Sequence, residues 1–366
     1  MSKVKVGVVG CGMISDRYVQ GMKAFDILDV AVFCDLDKSR AEKSAAAHGG
    51  RACSLDEMLR DDNIQIVLNL TTPKAHAPIA LQAIAAGKHV YNEKPLGITR
   101  AEGLKIMKAA SKKGVRVGCA PDTFLGAGHQ TARKLVDEGA IGKITAAVAF
   151  FQGGGPEGYH PDPFFLFTSG GGPLLDMGPY YLTDLAQLLG PIDRVTAFTS
   201  QSRPQRTVQT KGSQFLGQPI PVTIQDHVAA MAQFTSGAIA TIILSWANPV
   251  SSLPRIVLFG LDGTIDVPDP NGFDGPVKIR RPGGDWQEVP FEHTTGYIRG
   301  VGIAEMAHAI QAGRSPRASG EQAMHVLDAL DAFNDSARTG KTTVVKQPYD
   351  RPTALPTGLS PGRFES

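Results

Sequence analysis

Three groups of residues in this 366-residue chain combine types and spacings suited to chemistry. The first is Glu93-Lys94-Pro95, which follows Asn92 after a short strand expected at 89–91. Proline after Lys94 favours extended backbone at the lysine, and strand ends in open α/β sheets are where ligands sit. An ammonium there can bond a reacting hydroxyl and stabilise an alkoxide as hydride departs. The second group is Asp176 and Tyr180, four residues apart in a stretch read as one helix over 173–189, hence on one face. Tyr180 can take or give a proton. Its ordinary pKa is about 10, and a neighbouring Lys94 ammonium lowers it, so the two would titrate as a pair. Asp176 would accept a bond from a substrate hydroxyl or orient the lysine. The plainer alternatives are a surface lysine at a strand end, an acid favoured by the dipole of a helix begun at Pro173, and packing aromatics at Tyr180 and Tyr181.

The third group is Gly10-Cys11-Gly12-Met13-Ile14-Ser15, a G-x-G-x-x-S loop between an apolar run beginning at Val4 and an amphipathic segment over 15–25. Gly10 permits a tight turn, Gly12 leaves room for a pyrophosphate, and small Ser15 lets helix and strand pack closely. Free N–H groups at the helix start suit phosphates, with Met13 and Ile14 lining the approach. Asp35 closes the next strand, 30–34, a little over twenty residues past Gly12, where a carboxylate can accept from a ribose diol. That carboxylate repels a 2′-phosphate and Leu36 cannot pair with one, which favours NAD over NADP; Lys38 and Arg40 lie further on. A helix cap or turn residue is the alternative for Asp35.

Around these groups the pattern alternates. Helices are expected over 38–48, from the Ser54/Glu57 capping box, over 78–86 and from Thr99 to a stop at Gly114, with strands at 51–53, 65–70, 89–91 and 115–118. This is an α/β doubly wound parallel Rossmann sheet, assigned to a domain over 1–121. A second domain, 122–345, has helices at 127–138, 173–189, 297–312 and 319–338. Its strand-like runs fall at 143–151, 193–200, 222–234, 238–246, 255–259, 277–281 and 286–289. Short turns at 235–237 and 282–285 make it an α+β domain with an open-faced, largely antiparallel sheet. The Pro-rich tail, 346–366, is either disordered or an arm on a neighbouring subunit.

Lys and Arg total 37 against 35 Asp and Glu, so nothing points to nucleic acid or an anionic membrane. No run reaches a membrane-spanning length and no signal peptide is evident. Cys11, Cys34, Cys53 and Cys119 are widely spaced without CxxC, which suits a reduced cytoplasmic protein rather than disulfides or zinc. No metal site is indicated. Cys11, inside the loop, would be open to alkylation.

The Rossmann pattern, Glu93-Lys94-Pro95, the Ala132–Val136 to Gly139–Lys143 segment and Gly170-Gly171-Gly172-Pro173-Leu174-Leu175-Asp176-Met177-Gly178 together resemble the Gfo/Idh/MocA oxidoreductases over nearly the whole chain. The resemblance implies an NAD(P)-dependent dehydrogenase or reductase of sugars, polyols or inositols. It also implies dimers or tetramers formed through the C-terminal sheet and substrate held between domains. Thr71, Thr72, Pro73, His76 and Glu93 match its cofactor border. Many members carry histidine where this chain has Tyr180; a branch including glucose–fructose oxidoreductase has tyrosine there. Asp122 and the loop residue His160 are further substrate-side candidates, and His160 is the rival proton donor. His293 and Arg299 flank a late loop as weaker substrate contacts. Two other readings stay open: an enzyme that keeps NAD bound for transient oxidation, and a non-catalytic NAD-binding regulator.

Overall fold

The computed structural model describes residues 3–365. Strands β1 (Val4–Val9), β2 (Leu28–Cys34), β3 (Arg51–Ala52), β4 (Ile66–Asn69), β5 (His89–Asn92) and β6 (Val117–Cys119) form a wholly parallel sheet ordered β3-β2-β1-β4-β5-β6. Val4, Val6 and Val8 are buried, as expected of a sheet covered on both faces. Strand order reverses between β1 and β4, so a crevice opens beyond their carboxyl ends, beside the glycine loop.

Local chemistry sets the connecting helices. Ser54 and Glu57 form the expected capping box on Leu55–Arg60. Thr99 caps Arg100–Lys113, which stops at Gly114 in the left-handed conformation, φ 68°. The helix expected from residue 78 begins earlier, at Pro73, where the missing N–H lies in the unpaired first turn.

The second sheet has nine strands: β7 (Ile144–Gln152), β8 (Ile192–Ser200), β11 (His227–Phe234), β12 (Ile239–Ser245), β13 (Ile256–Gly260), β14 (Gly263–Val267), β15 (Val277–Arg280), β16 (Gln287–Val289) and β17 (Thr343–Val344). Their order is β16-β15-β14-β13-β7-β12-β11-β8-β17, with β7 and β12 parallel and the other pairs antiparallel. The run expected as one strand over 222–234 is shorter. It begins only at His227; before it, Pro219–Pro221 (β10) pairs with Gln205–Thr207 (β9) in a separate two-stranded ribbon, a place where prolines without N–H are tolerated. β14 was not among the expected strands; its Asp266, unfavourable to a strand alone, lies opposite Lys278 of β15.

Helices Gly178–Leu189 and Gly320–Thr339 cover one face of this sheet. Helix Val301–Gln311 packs into the core of the parallel sheet, with Val301, Ile303 and Met306 beside Val4, Tyr18 and Tyr91. The boundaries expected at 121 and 345 thus follow chain order, whereas the cores interleave. The tail is neither an arm nor loose. Tyr349 is buried, Arg351 reaches Asp137, Leu355 N–H donates to Gln130, and Phe364 sits 5.9 Å from Phe25, ring to ring. Prolines limit regular structure there, while spaced aromatic and aliphatic side chains still anchor it.

Asp328 joins these parts. It is fully buried, accepts from the Arg100 guanidinium, and receives the N–H groups of Lys346 (2.6 Å) and Gln347 (2.8 Å). Asp328→Ala leaves all three donors without their carboxylate. It is expected to cost roughly 3–5 kcal/mol in urea unfolding and to make the tail sensitive to protease.

Candidate active site

The stretch read as one helix over 173–189 is two: Gly172–Asp176 and Gly178–Leu189, broken at Met177. Pro179 has no N–H for the Leu175 carbonyl, and its ring crowds that carbonyl. Tyr180 N–H turns to Met177 O (3.1 Å), which leaves Asp176 O without its helical partner. Asp176 and Tyr180 therefore do not share the face of one continuous helix, as the four-residue spacing implied; they meet across the break.

Lys94 fills the vacated bond. Its Nζ, carried by the turn after β5, donates to Asp176 O at 2.7 Å and to Asp176 Oδ1 at 2.6 Å. The same Nζ stands 5.0 Å from the centre of the Tyr180 ring. Burial alone would depress the Lys94 pKa, but Asp176, Tyr180 and Glu93 outweigh it and hold the ammonium well above its ordinary value. Tyr180 is 5% exposed. Burial raises its pKa more than Lys94 and Arg299 lower it, with Glu93 and Asp176 adding to the rise. The expected net lowering by Lys94 is thus overturned by burial.

The turn carrying Lys94 is braced from below. Glu93 accepts from Tyr18 OH (2.7 Å) and from Lys94 N–H (2.8 Å), so it holds the turn. Asn69 donates to Asn92 Oδ1 (3.0 Å) and to His76 O (3.1 Å), and Asn92 donates to Leu96 O (3.3 Å). His76 is buried with its ring nitrogens 2.7 Å from Pro95 O and 3.0 Å from Thr71 O, and its single N–H donates to one of them. Burial lowers its pKa. Thr71 bonds Asn69 (2.7 Å), while Thr72 and Pro73 open the following helix. Asn69 and Asn92 were missed from sequence; a polar residue closing each of two apolar strands was the available signal.

At the glycine loop, Gly10 adopts φ +95° and its missing Cβ would lie 2.7 Å from Leu70 C. Gly12 faces open space, with nothing within 4 Å of a Cβ built there. Helix Ser15–Met22 starts without a side-chain cap, and Met13 is exposed. Asp35 accepts from Cys11 N–H (2.7 Å) and Asp37 N–H (2.9 Å); the helix cap is Asp37, not Asp35. An open glycine, uncapped N–H groups and a carboxylate at the end of β2 fit a dinucleotide.

The other candidates fall outside the Lys94–Asp176–Tyr180 cluster. Asp122 is 1% exposed and accepts from Gly300 and Gly302 N–H (both 3.0 Å), so it caps a helix instead of lining a cleft. His160 is half-buried, accepts from Asp162 N–H (3.0 Å) and lies edge-on to Phe165. His293 bonds Leu355 O in the tail. Arg299 is brought in: its Nη2 donates to Tyr180 OH at 2.9 Å and to Asn271 Oδ1 at 2.7 Å. Tyr159, from the loop that carries His160, is 63% exposed and lies in the field of Asp176, Lys94 and Tyr180. Among the described residues no group of three or more His, Cys, Asp or Glu is placed to hold a metal, and no helix is long and apolar enough to cross a membrane.

A parallel sheet with an open glycine loop, facing a lysine clamped by a carboxylate from a second domain, defines a two-domain oxidoreductase architecture. Residues 4–120 match the family described as oxidoreductase family, NAD-binding Rossmann fold, and residues 129–266 match the GFO/IDH/MocA C-terminal domain. The chain belongs to the GFO/IDH/MocA family. It is 30% identical to dTDP-3,4-didehydro-2,6-dideoxy-alpha-D-glucose 3-reductase of Streptomyces antibioticus, over 75% of this chain and 87% of that one. It is 27% identical to levoglucosan dehydrogenase of Pseudarthrobacter phenanthrenivorans, over 66% of this chain and 67% of that one. The solved structure of levoglucosan dehydrogenase in its apo form shares the fold at TM-score 0.84 and 22% identity, covering 95% of this chain and all of that one.

Cys11 is buried, its Sγ turned to Cys34 O, and burial raises its pKa, so the expected access to alkylation is not met. Burial also raises the pKa of Cys53 and Cys119 and pushes Cys34 to about 11. Thiol titration of the native protein is expected to label only Cys53 at appreciable rate, with all four reacting after unfolding.

Proposed function

We propose that the protein is an NAD-dependent dehydrogenase or reductase acting on a CH–OH or carbonyl carbon of a sugar, polyol or inositol. The observation that carries this reading is the Lys94 ammonium, clamped to Asp176 across the two domains and set over Tyr180 at the carboxyl end of the parallel sheet. NAD, when bound, supplies the hydride acceptor. Gly10, Gly12, Met13, Ile14, Asp35, Thr71, Thr72 and Pro73 border its position, and Asp35 with exposed Leu36 favours NAD over NADP.

Within that site Lys94 stays protonated. It bonds the reacting oxygen and stabilises alkoxide character, while Asp176 fixes the ammonium and accepts a substrate hydroxyl. Tyr180 as phenolate takes the hydroxyl proton in oxidation, and as phenol it returns that proton in reduction. His160 and Tyr159 reach the substrate side on the loop before the broken helix. The levoglucosan and dideoxyglucose enzymes act on sugars by name, which supports this substrate class.

We also read the protein as cytoplasmic and as a homodimer or homotetramer built through the outer face of the nine-stranded sheet. Phe198 and Met231 are 76% and 52% exposed there and stand opposite Ala229 and Thr241 on neighbouring strands. The double change Phe198→Glu, Met231→Glu is expected to yield monomers by light scattering; an unchanged mass rejects this face.

The catalytic reading is tested with a sugar and polyol panel under NAD and NADP. Lys94→Ala is expected to lower kcat by roughly 10²- to 10⁴-fold with NAD affinity nearly intact. Retained turnover, or loss of NAD binding, removes the assigned role. Tyr180→Phe should reduce kcat/KM far more than His160→Ala.

A further inference from the structure

Tyr180 has cationic neighbours from two parts of the chain. Lys94 lies at its ring, and Arg299 approaches with its guanidinium carbon 5.7 Å from the ring centre and Nη2 2.9 Å from the phenol oxygen. Guanidinium only donates, so the phenol oxygen is the acceptor in that bond. The hydrogen of Tyr180 is then free to point elsewhere, and it meets no acceptor among the described residues.

Arg299 is built into place. Asn271 Oδ1 takes a second bond from the same Nη2. Its backbone presses on the first Rossmann helix so closely that a Cβ on Gly21 would come 2.1 Å from Arg299 O. Gly300 and Gly302, just beyond it, are held by the buried Asp122 carboxylate. No carboxylate forms an ion pair with Arg299 among the described residues.

We infer that Arg299 is a positioning residue for the proposed proton transfer: by donating to Tyr180 OH it aims the phenol hydrogen at the substrate and stabilises the phenolate left when that hydrogen is gone. This rests on the reading of Tyr180 as the proton-transfer group. The proton balance is simple. In oxidation the substrate O–H proton passes to the phenolate oxygen as hydride leaves the carbon. In reduction the phenol O–H gives its proton to the forming alkoxide. Arg299 keeps its own protons throughout and contributes charge and direction. The other charged or titratable groups facing Tyr180 are Lys94 and Glu93 from the strand-end turn, Asp176 from the short helix and Tyr159 from the preceding loop.

The test reads Tyr180 itself. Tyrosinate absorbance is titrated in the native protein and in Tyr180→Phe, and the difference isolates this one phenol. Repeating the pair in an Arg299→Met background is expected to move the Tyr180 titration upward by about one pH unit or more. The alkaline rise of kcat/KM for oxidation should move with it, roughly a tenfold loss at pH values below the limb. Arg299→Lys should recover part of both shifts, and it carries the test if Arg299→Met does not fold. An unshifted Tyr180 titration in a folded Arg299 variant overturns the inference. Full turnover by Tyr180→Phe instead rejects the proton-transfer role of Tyr180, while the absorbance titration still decides whether Arg299 sets its acidity.

Discussion

The architecture depends on one bond pair, the two hydrogen bonds from Lys94 Nζ to the side chain and main chain of Asp176. A lysine ammonium withdrawn from water is costly unless its charge and its donors are matched. Here one partner is a carboxylate and the other a carbonyl that an unbroken helix would have used internally. Breaking the helix at Met177 is therefore part of the site, because it frees that acceptor. The two domains are tied at the carboxyl end of the parallel sheet.

Burial and neighbouring charge compete at both titrating members of this cluster, and a different one prevails at each. For Lys94 the opposing charges win and its pKa rises; for Tyr180 desolvation wins over the two cations and its pKa rises as well. The proposed division of labour rests on that contrast, with a fixed charge assigned to stabilising oxygen and a separate group to the proton. Beneath them, the amides of Asn69 and Asn92 and the imidazole of His76 join the ends of β4 and β5. The loop after β4 and the loop bearing the lysine are thus linked by hydrogen bonds.

Much of this was legible in the sequence because it rests on local chemistry. The glycine loop, the capping box at Ser54, the stop at Gly114 and the alternation of buried strands each follow from a few adjacent residues. The expected convergence of Lys94, Asp176 and Tyr180 is seen, although its basis is a helix break and not a shared helical face. Pro179 was the visible sign of the break and was read through. What escaped was long-range: Arg299 arriving beside Tyr180, Asp122 turned to cap a distant helix, and His76 enclosed by carbonyls. None of these has a spacing rule, since each depends on how separately formed elements come to rest against one another.

The Phe364 ring, packed against Phe25 and His308, has a consequence for how the protein comes into being. The apolar interior that begins at Val4 is completed by side chains from Val301 onward and finally by Phe364. During translation the nucleotide-binding half emerges early with part of its interior open, and it cannot seal until the polypeptide has been made through residue 364. Until then an exposed greasy seam is available to chaperones or to wrong partners.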